Sequence, residues 1–295
     1  MLQLNECPIC NSNQFEPFLE CKDYTVSRET FQIVSCLTCQ FKFTNPIPDL
    51  DKLGSYYKSE EYVSHSNSNK GFINSVYQFV RKYTLLKKLK LISKFNKTGN
   101  ILDIGCGTGE FLNICKQAKW NVMGIEPDEG ARKMASDNFS LHVKPEAELK
   151  NLPDQSFDII TMWHVLEHVP KLKDRVQELK RLLKPKGVII IAVPNCSSLD
   201  AKKYKQYWAA YDVPRHLYHF TPGDLNALTK QFDLTVFNTL PMVFDSFYVS
   251  MLSEKYKKGK LNLICSMWNG FQSNLNAAKT GKNYSSQIYL IRKNK

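Results

Sequence analysis

Residues 100–104, Asn-Ile-Leu-Asp-Ile, form a short apolar run that leads into Asp103, Gly105, Gly107 and Gly109 at every second position. The chain then passes into Glu110-Phe111-Leu112-Asn113-Ile114-Cys115, which has helical periodicity. Strand, tight glycine turn and helix in that order open a doubly wound α/β sheet, where ligands lie beyond the carboxyl ends of the strands. Glycines there let backbone approach a ligand closely. The GxGxxG fingerprint of nicotinamide dinucleotides does not fit, because its third glycine, counted from Gly105, falls on Glu110. A carboxylate at the helix start also opposes a pyrophosphate. The spacing suits a ligand without phosphates, whose amine and carboxylate meet an acidic side chain and backbone amides.

S-adenosylmethionine is such a ligand, and the alternation downstream agrees. Apolar strand patterns at 100–104, 121–125, 157–162 and 188–193 are separated by helical patterns at 109–118, 129–137 and 171–183, with later strands at 233–239 and 286–292. Such alternation favours right-handed crossovers and a mainly parallel sheet. Here the sequence resembles the class I S-adenosylmethionine-dependent methyltransferases. LDIGCGTGEFL is similar to their first motif and GIEPDEGA to the end of their second strand. PEAELKNLPDQSFDIITMWHVLEHV is similar to the run through the fourth strand, and LLKPKGVIIIAVPN to the helix-to-fifth-strand segment. The resemblance implies an α/β, doubly wound, mainly parallel seven-stranded Rossmann-like sheet whose last strand is antiparallel. It also implies methyl transfer from S-adenosylmethionine to a small-molecule acceptor. The core, over roughly residues 80–240, resembles the polyprenyl-benzoquinol methylases, and the preceding CxxC…CxxC unit, Cys7-Pro8-Ile9-Cys10 and Cys36-Leu37-Thr38-Cys39, resembles that of zinc-containing methyltransferases acting on nucleotide-linked sugars. A sugar, a quinone or a related metabolite is therefore the expected acceptor.

Glu126 ends the second strand 21 residues after Gly105, where an acid can accept hydrogen bonds from both ribose hydroxyls. Asp103, Gly105, Gly107 and Gly109 are expected to meet the ligand through the first loop. The resemblance adds Glu146 and Ala147 near the adenine, and places Trp163 and His164 facing the sulfonium and the acceptor. His216 and His219 lie in Pro214-Arg215-His216-Leu217-Tyr218-His219-Phe220-Thr221-Pro222, read as a loop after the fifth strand that carries acceptor recognition together with Trp208 and Tyr211. With His164 they are the candidates for a general base. His168 reads as a plain helix or loop residue. The run His164-Val165-Leu166-Glu167-His168 lacks the His-Glu order of HExxH, which argues against a hydrolytic zinc site.

Cys7, Cys10, Cys36 and Cys39 form two CxxC pairs separated by 25 residues, the ligand set of a structural zinc in a ribbon-like module. Some forty residues bury too little apolar surface to fold alone, which metal would offset. Cys21, Cys106, Cys115, Cys196 and Cys265 lack such pairing and read as buried small hydrophobes. The expected organisation is a zinc-ribbon module at 1–48, a helical connector at 49–98 and an α/β core at 99–240. A lid-like insertion at 241–283 and a final strand at 284–295 complete it. Within the connector, 64–71 reads as a polar loop and 72–95 as an amphipathic helix.

The net charge of +12 is concentrated partly at Arg81, Lys82, Lys87, Lys88, Lys90, Lys94 and Lys97, read first as a solvated helix face. Recognition of RNA or protein by that face and the ribbon is the second reading, and a cofactor-binding protein without chemistry the third. The uncharged stretch Leu261 to Ala278 holds Asn262, Asn269, Asn274 and Asn276 and is no membrane span. No secretory signal is legible at the N-terminus, and a cytoplasmic protein is expected.

Overall fold

The computed structural model describes residues 1–57, 72–281 and 283–294. The expected polar loop at 64–71 lies outside the described residues. The N-terminal segment forms β1 (Phe15–Lys22), β2 (Thr30–Cys36) and β3 (Lys42–Thr44), and α1 spans Phe72–Ile92. The alternating unit follows as β4 (Asn100–Ile104), α2 (Glu110–Gln117), β5 (Asn121–Ile125), α3 (Glu129–Phe139) and β6 (Val143–Lys144). Next come β7 (Phe157–Trp163), α4 (Leu172–Leu182), β8 (Leu183–Pro194) and α5 (Leu199–Tyr204). The chain closes with β9 (Tyr218–His219), α6 (Pro222–Lys230), β10 (Leu234–Pro241), α7 (Asp245–Lys258), α8 (Leu263–Lys279) and β11 (Ser286–Lys293).

Seven strands form one sheet in the order β10-β11-β8-β7-β4-β5-β6. β4 through β8 pair in parallel, whereas β11 runs antiparallel to both β8 and β10. The fold is the expected mainly parallel α/β sheet. Its central strands are apolar without a break because helices cover both faces. Leu102, Ile104, Ile160, Met162 and Ile191 face α4 through Val176 and Leu179, while Ile101, Ile159 and Ile190 face α1 and α2 through Ile92, Phe111 and Leu112. Each such side chain, fully buried, contributes about 1.5–3 kcal/mol. From β4 the chain winds outward through β5 to β6, then returns to β7 on the other side. The carboxyl end of β4 is thus the switch point where a crevice opens.

The N-terminal strands do not close into a sheet of their own. They form a second sheet, β1-β2-β3-β9, whose last strand comes from the segment after β8. The reason is apolar: Phe41 and Phe43 pack with Tyr218 and Phe220 in the same buried cluster as β4 and β7. The segment 214–222, expected as a recognition loop, is therefore largely interior, with Leu217, Tyr218 and Phe220 buried beside Trp208 and Tyr211. Its end is set by a capping box, Thr221 with Asp224, and by Pro222 at the first turn of α6.

Residues between β10 and β11 form an antiparallel helical hairpin whose turn is Gly259, at φ +71°. Its seam is made of small residues: Ser246, Ser250 and Ser253 of α7 meet Ser266, Gly270 and Ser273 of α8. A Cβ on Gly270 would stand 2.9 Å from the Cα of Phe247, so close approach requires glycine there. The hairpin is tied to α5 by the buried Asp200, which accepts from Trp208 Nε1 and from the hydroxyls of Ser273 and Ser285. No helix among the described residues is long and apolar enough to cross a membrane.

Candidate active site

The glycine loop bends sharply because Gly105 and Cys106 both donate to Ile125 O, at 2.7 and 3.2 Å. Gly105 adopts φ +72°, and a Cβ there would stand 2.4 Å from Val165 Cγ2. Gly109, at φ +85°, is hemmed in by Leu141 and Ala135, whereas Gly107 at φ +54° faces open space. The concave side of the loop is therefore accessible at Gly107 and closed at its two ends.

Two carboxylates flank this opening. Asp103 is buried and accepts a hydrogen bond from Thr161 Oγ1 at 2.5 Å. Burial pushes its carboxyl up to about 7, with Thr161 and the charge of Lys88 pulling the other way. Glu126 accepts from Gly107 N at 2.8 Å and from Asp128 N at 3.0 Å, and burial raises its pKa. Glu146 pairs with Arg175 and lies close enough to Glu126 for their charges to interact, while Ala147 is exposed.

Trp163 forms the wall at the end of β7, edge-on to Phe111 with ring centroids 5.7 Å apart. Lys88 reaches in from α1, with Nζ 4.2 Å from the Trp163 ring centroid. Burial lowers its pKa to about 8, opposed by Asp103 and Asp245. Lys88 and Arg81, which pairs with Glu110, thus leave the solvated stripe and join the site. Lys88 and Arg81 were legible as charges in line with Leu85 and Ile92 at helical spacing. Thr161 was legible as the polar residue in an apolar strand, but Asp245 carries no local signal.

The histidines separate clearly. His164 follows Trp163 at φ +57° and lies between two acids, Nε2 3.0 Å from Asp245 Oδ2 and Nδ1 3.4 Å from Glu167 Oε1. Burial opposes its charge, but the carboxylates of Asp245 and Glu167 prevail and raise its pKa to about 10. His216 is buried, with Nδ1 2.8 Å from Ala210 O. His219 corrects the expectation of an acceptor-facing base: it is only 3% exposed, contacts Thr44 Oγ1 at 3.2 Å and is held neutral by burial, because β9 pairs with β3. His168, read as a plain loop residue, lies edge-on to His216 with centroids 4.6 Å apart.

The four N-terminal cysteines converge. Cys7 and Cys39 sulfurs lie 3.5 Å apart, as do those of Cys10 and Cys36, and all four fall within 4.8 Å of one another. Both knuckles have one geometry: Asn11 N donates to Cys7 O and Gln40 N to Cys36 O, with Asn11 at φ +62° and Gln40 at φ +64°. Cys21, Cys106, Cys115 and Cys196 are buried as expected, whereas Cys265 is partly exposed.

A family model described as a methyltransferase domain matches residues 77–239, more than half of the chain. The chain belongs to the S-adenosylmethionine-dependent methyltransferases. Among curated relatives, a ubiquinone biosynthesis O-methyltransferase of Actinobacillus pleuropneumoniae is 36% identical over 106 residues, 32% of this methyltransferase and 45% of that protein. The protein of the same name from Pseudomonas fluorescens is 28% identical over 160 residues, 49% of this chain and 68% of its own. Most of the curated relatives are thus spanned over about half their length. Among solved structures, magnesium protoporphyrin IX methyltransferase from Synechocystis PCC 6803, determined with S-adenosylhomocysteine bound, superposes with a TM-score of 0.55 at 14% identity. The match covers 83% of this methyltransferase and 100% of that chain, and it bears on the fold alone.

Proposed function

We propose that this methyltransferase transfers a methyl group from S-adenosylmethionine to a small-molecule acceptor of the sugar, quinone or related metabolite class. The observation that carries the reading is the Glu126 carboxylate bound to the Gly107 amide, at the one glycine of the loop with open space before it, and with Asp103 behind. That arrangement fits the cofactor: an acid for the ribose hydroxyls, a buried acid for the amine, and an open backbone turn between them. Glu126 holds the ribose, Asp103 with Thr161 faces the amine, Trp163 and Phe111 form the apolar wall, and Glu146 and Ala147 border the adenine.

When bound, the cofactor supplies a methyl group on a cationic sulfur, an electrophile that is already activated. The chain's own share is alignment, which contributes about 7–11 kcal/mol when reactants are well oriented. His164 is the acceptor-facing group, and Asp245 at the start of α7 closes over it at 3.0 Å. A helical hairpin placed there supports a small acceptor. Lys88 and Arg81, turned inward, leave less of the basic stripe for nucleic acid. The curated relatives named for quinone biosynthesis support the same acceptor class. The four cysteines, with sulfurs converging as a tetrahedral thiolate site requires, hold a structural zinc.

Incubating the protein and labelled S-adenosylmethionine with a metabolite extract from a strain lacking it, then identifying the labelled product by mass spectrometry, tests the transfer. A label found only in macromolecules would overturn the small-molecule reading. Glu126→Ala removes acceptors for two hydrogen bonds to a charged group, each contributing about 1.5–3 kcal/mol. Calorimetry should show affinity for S-adenosylhomocysteine falling by at least about tenfold in a variant with unchanged circular dichroism. An unchanged affinity would remove Glu126 from the site.

Asp103 predicts a pH dependence. Its carboxyl is protonated below about 7 in the free protein, whereas an ammonium partner needs the anion. Affinity for S-adenosylhomocysteine should therefore be flat above that pH and fall by up to about tenfold per unit below it. Asp103→Asn should bind more weakly and lose the slope. The same slope in the variant would assign the titration elsewhere.

A further inference from the structure

We propose that Glu167, His168 and His216 form a second metal site, distinct from the cysteine quartet, that takes one divalent transition cation. One atom from each of the three side chains, a ring nitrogen or a carboxylate oxygen, lies within 4.8 Å of the other two. Neither histidine is adjacent to the other in its binding partners: His168 follows β7, and His216 arrives 48 residues later on the segment that leads into β9.

The hydrogen bonds orient both rings. His216 Nδ1 lies 2.8 Å from Ala210 O, and His168 Nδ1 lies 3.0 Å from Arg215 O. A carbonyl only accepts, so Nδ1 of His216 carries the proton and its Nε2 keeps the lone pair, while Nδ1 of His168 meets the Tyr57 hydroxyl at 2.9 Å as well as the carbonyl. Imidazoles held by a backbone carbonyl on one nitrogen are the usual supports of a metal on the other. Between them stands Glu167, fully buried, with neither carboxylate oxygen accepting a hydrogen bond among the described residues. His164 Nδ1 approaches Oε1 to 3.4 Å, which offsets charge on one side only. Two imidazoles and a buried carboxylate whose oxygens lack a hydrogen-bond partner converge on one point, an arrangement that His164 offsets on one side and a cation would complete. Asp212 Oδ2, 4.0 Å from His216 Nε2, adds negative charge to the same corner.

Two imidazoles and one carboxylate select a borderline cation such as Zn²⁺, Fe²⁺ or Co²⁺ over Mg²⁺ or Ca²⁺. Three protein ligands leave a position for water or for an oxygen of the acceptor. That second role alone rests on the function proposed above, whereas binding of the metal does not.

The test is a Co²⁺ titration of full-length protein already loaded with zinc at the cysteines, followed by equilibrium dialysis and visible absorption. One further equivalent is expected to bind, with d–d bands and no sulfur-to-cobalt charge transfer. Glu167→Gln and His216→Asn should each weaken that uptake by at least about tenfold. Saturation of the zinc-loaded protein without further cobalt, or equal uptake by correctly folded variants, would overturn the site. Should neither variant fold, long-range ¹H–¹⁵N spectra of the wild-type imidazoles decide. Zn²⁺ should shift Nε2 of His168 and His216 and leave His142 in place, and no shift would overturn the proposal. Failure of the acceptor experiment with this metal bound would count against the function, not against the site.

Discussion

Stripping the zinc proposed at Cys7, Cys10, Cys36 and Cys39 is expected to unfold the N-terminal sheet and to lower the stability of the whole chain. A structural zinc in a thiolate site contributes on the order of 10–16 kcal/mol, as much as the net stability of about 5–15 kcal/mol of an ordinary domain. The segment has apolar anchors of its own in Ile33, Phe41, Phe43 and Ile47, and Cys7 and Cys36, two of the proposed ligands, are buried among them. Cys36→Ser should release about one zinc per chain, read with a chromogenic chelator, and broaden or abolish the cooperative melt followed by circular dichroism. A zinc-free protein that melts like the loaded one would show that the cysteines are structural without metal.

Arg215→Ala should also be damaging, by a smaller amount and for electrostatic reasons. The guanidinium donates to Asp23 Oδ1 at 2.9 Å, to Asp212 at 2.7 and 3.0 Å and to Tyr56 O at 2.9 Å, and its side chain is 3% exposed against 0% for Asp23. Asp23 is otherwise enclosed by the amides of Thr25, Val26 and Ser27, and Arg215 holds its carboxyl well below the ordinary range against the opposing effect of burial. Removing the cation strands a buried charge, which costs about 3–5 kcal/mol. At about 2–4 °C per kcal/mol for a chain of this order, the melting temperature should fall by roughly 6–20 °C. The double change Asp23→Leu with Arg215→Met should recover part of the loss, because it removes the pair together. A double variant no better than Arg215→Ala would mean that geometry, not charge, is what the pair supplies.

Local periodicity made the sheet legible. The runs ending at Ile104 and Trp163 are buried on both faces, so their apolar pattern had no competitor, and the glycine loop announced its own turn. β6 went unread because two residues carry no period. The segment around His219 was misread because its partner strand, Lys42–Thr44, lies about 175 residues away and nothing local encodes that pairing. The same holds for the Glu167 cluster. The motif His164-Val165-Leu166-Glu167-His168 lacks the HExxH order within its own length, whereas the third side chain, His216, is delivered by the fold. Asp245 likewise reaches His164 only because a hairpin returns over the sheet. Residues carried by a motif, such as the two CxxC pairs and Glu126 at the end of its strand, were legible, and those recruited across the fold without one were not.

The strand order carries a consequence for how the molecule assembles. β10 touches the sheet only through β11, and β11 fills the place beside β8 from the last described residues of the chain. Until Ser286–Lys293 docks, the apolar run Ile189–Val193 presents an open edge and β10 has nothing to join. Such an edge is a template for pairing with other chains. The exposed edge persists until a single short strand closes it and fixes both feet of the helical hairpin at once. The interval before that closure is the period in which this protein is most open to aggregation.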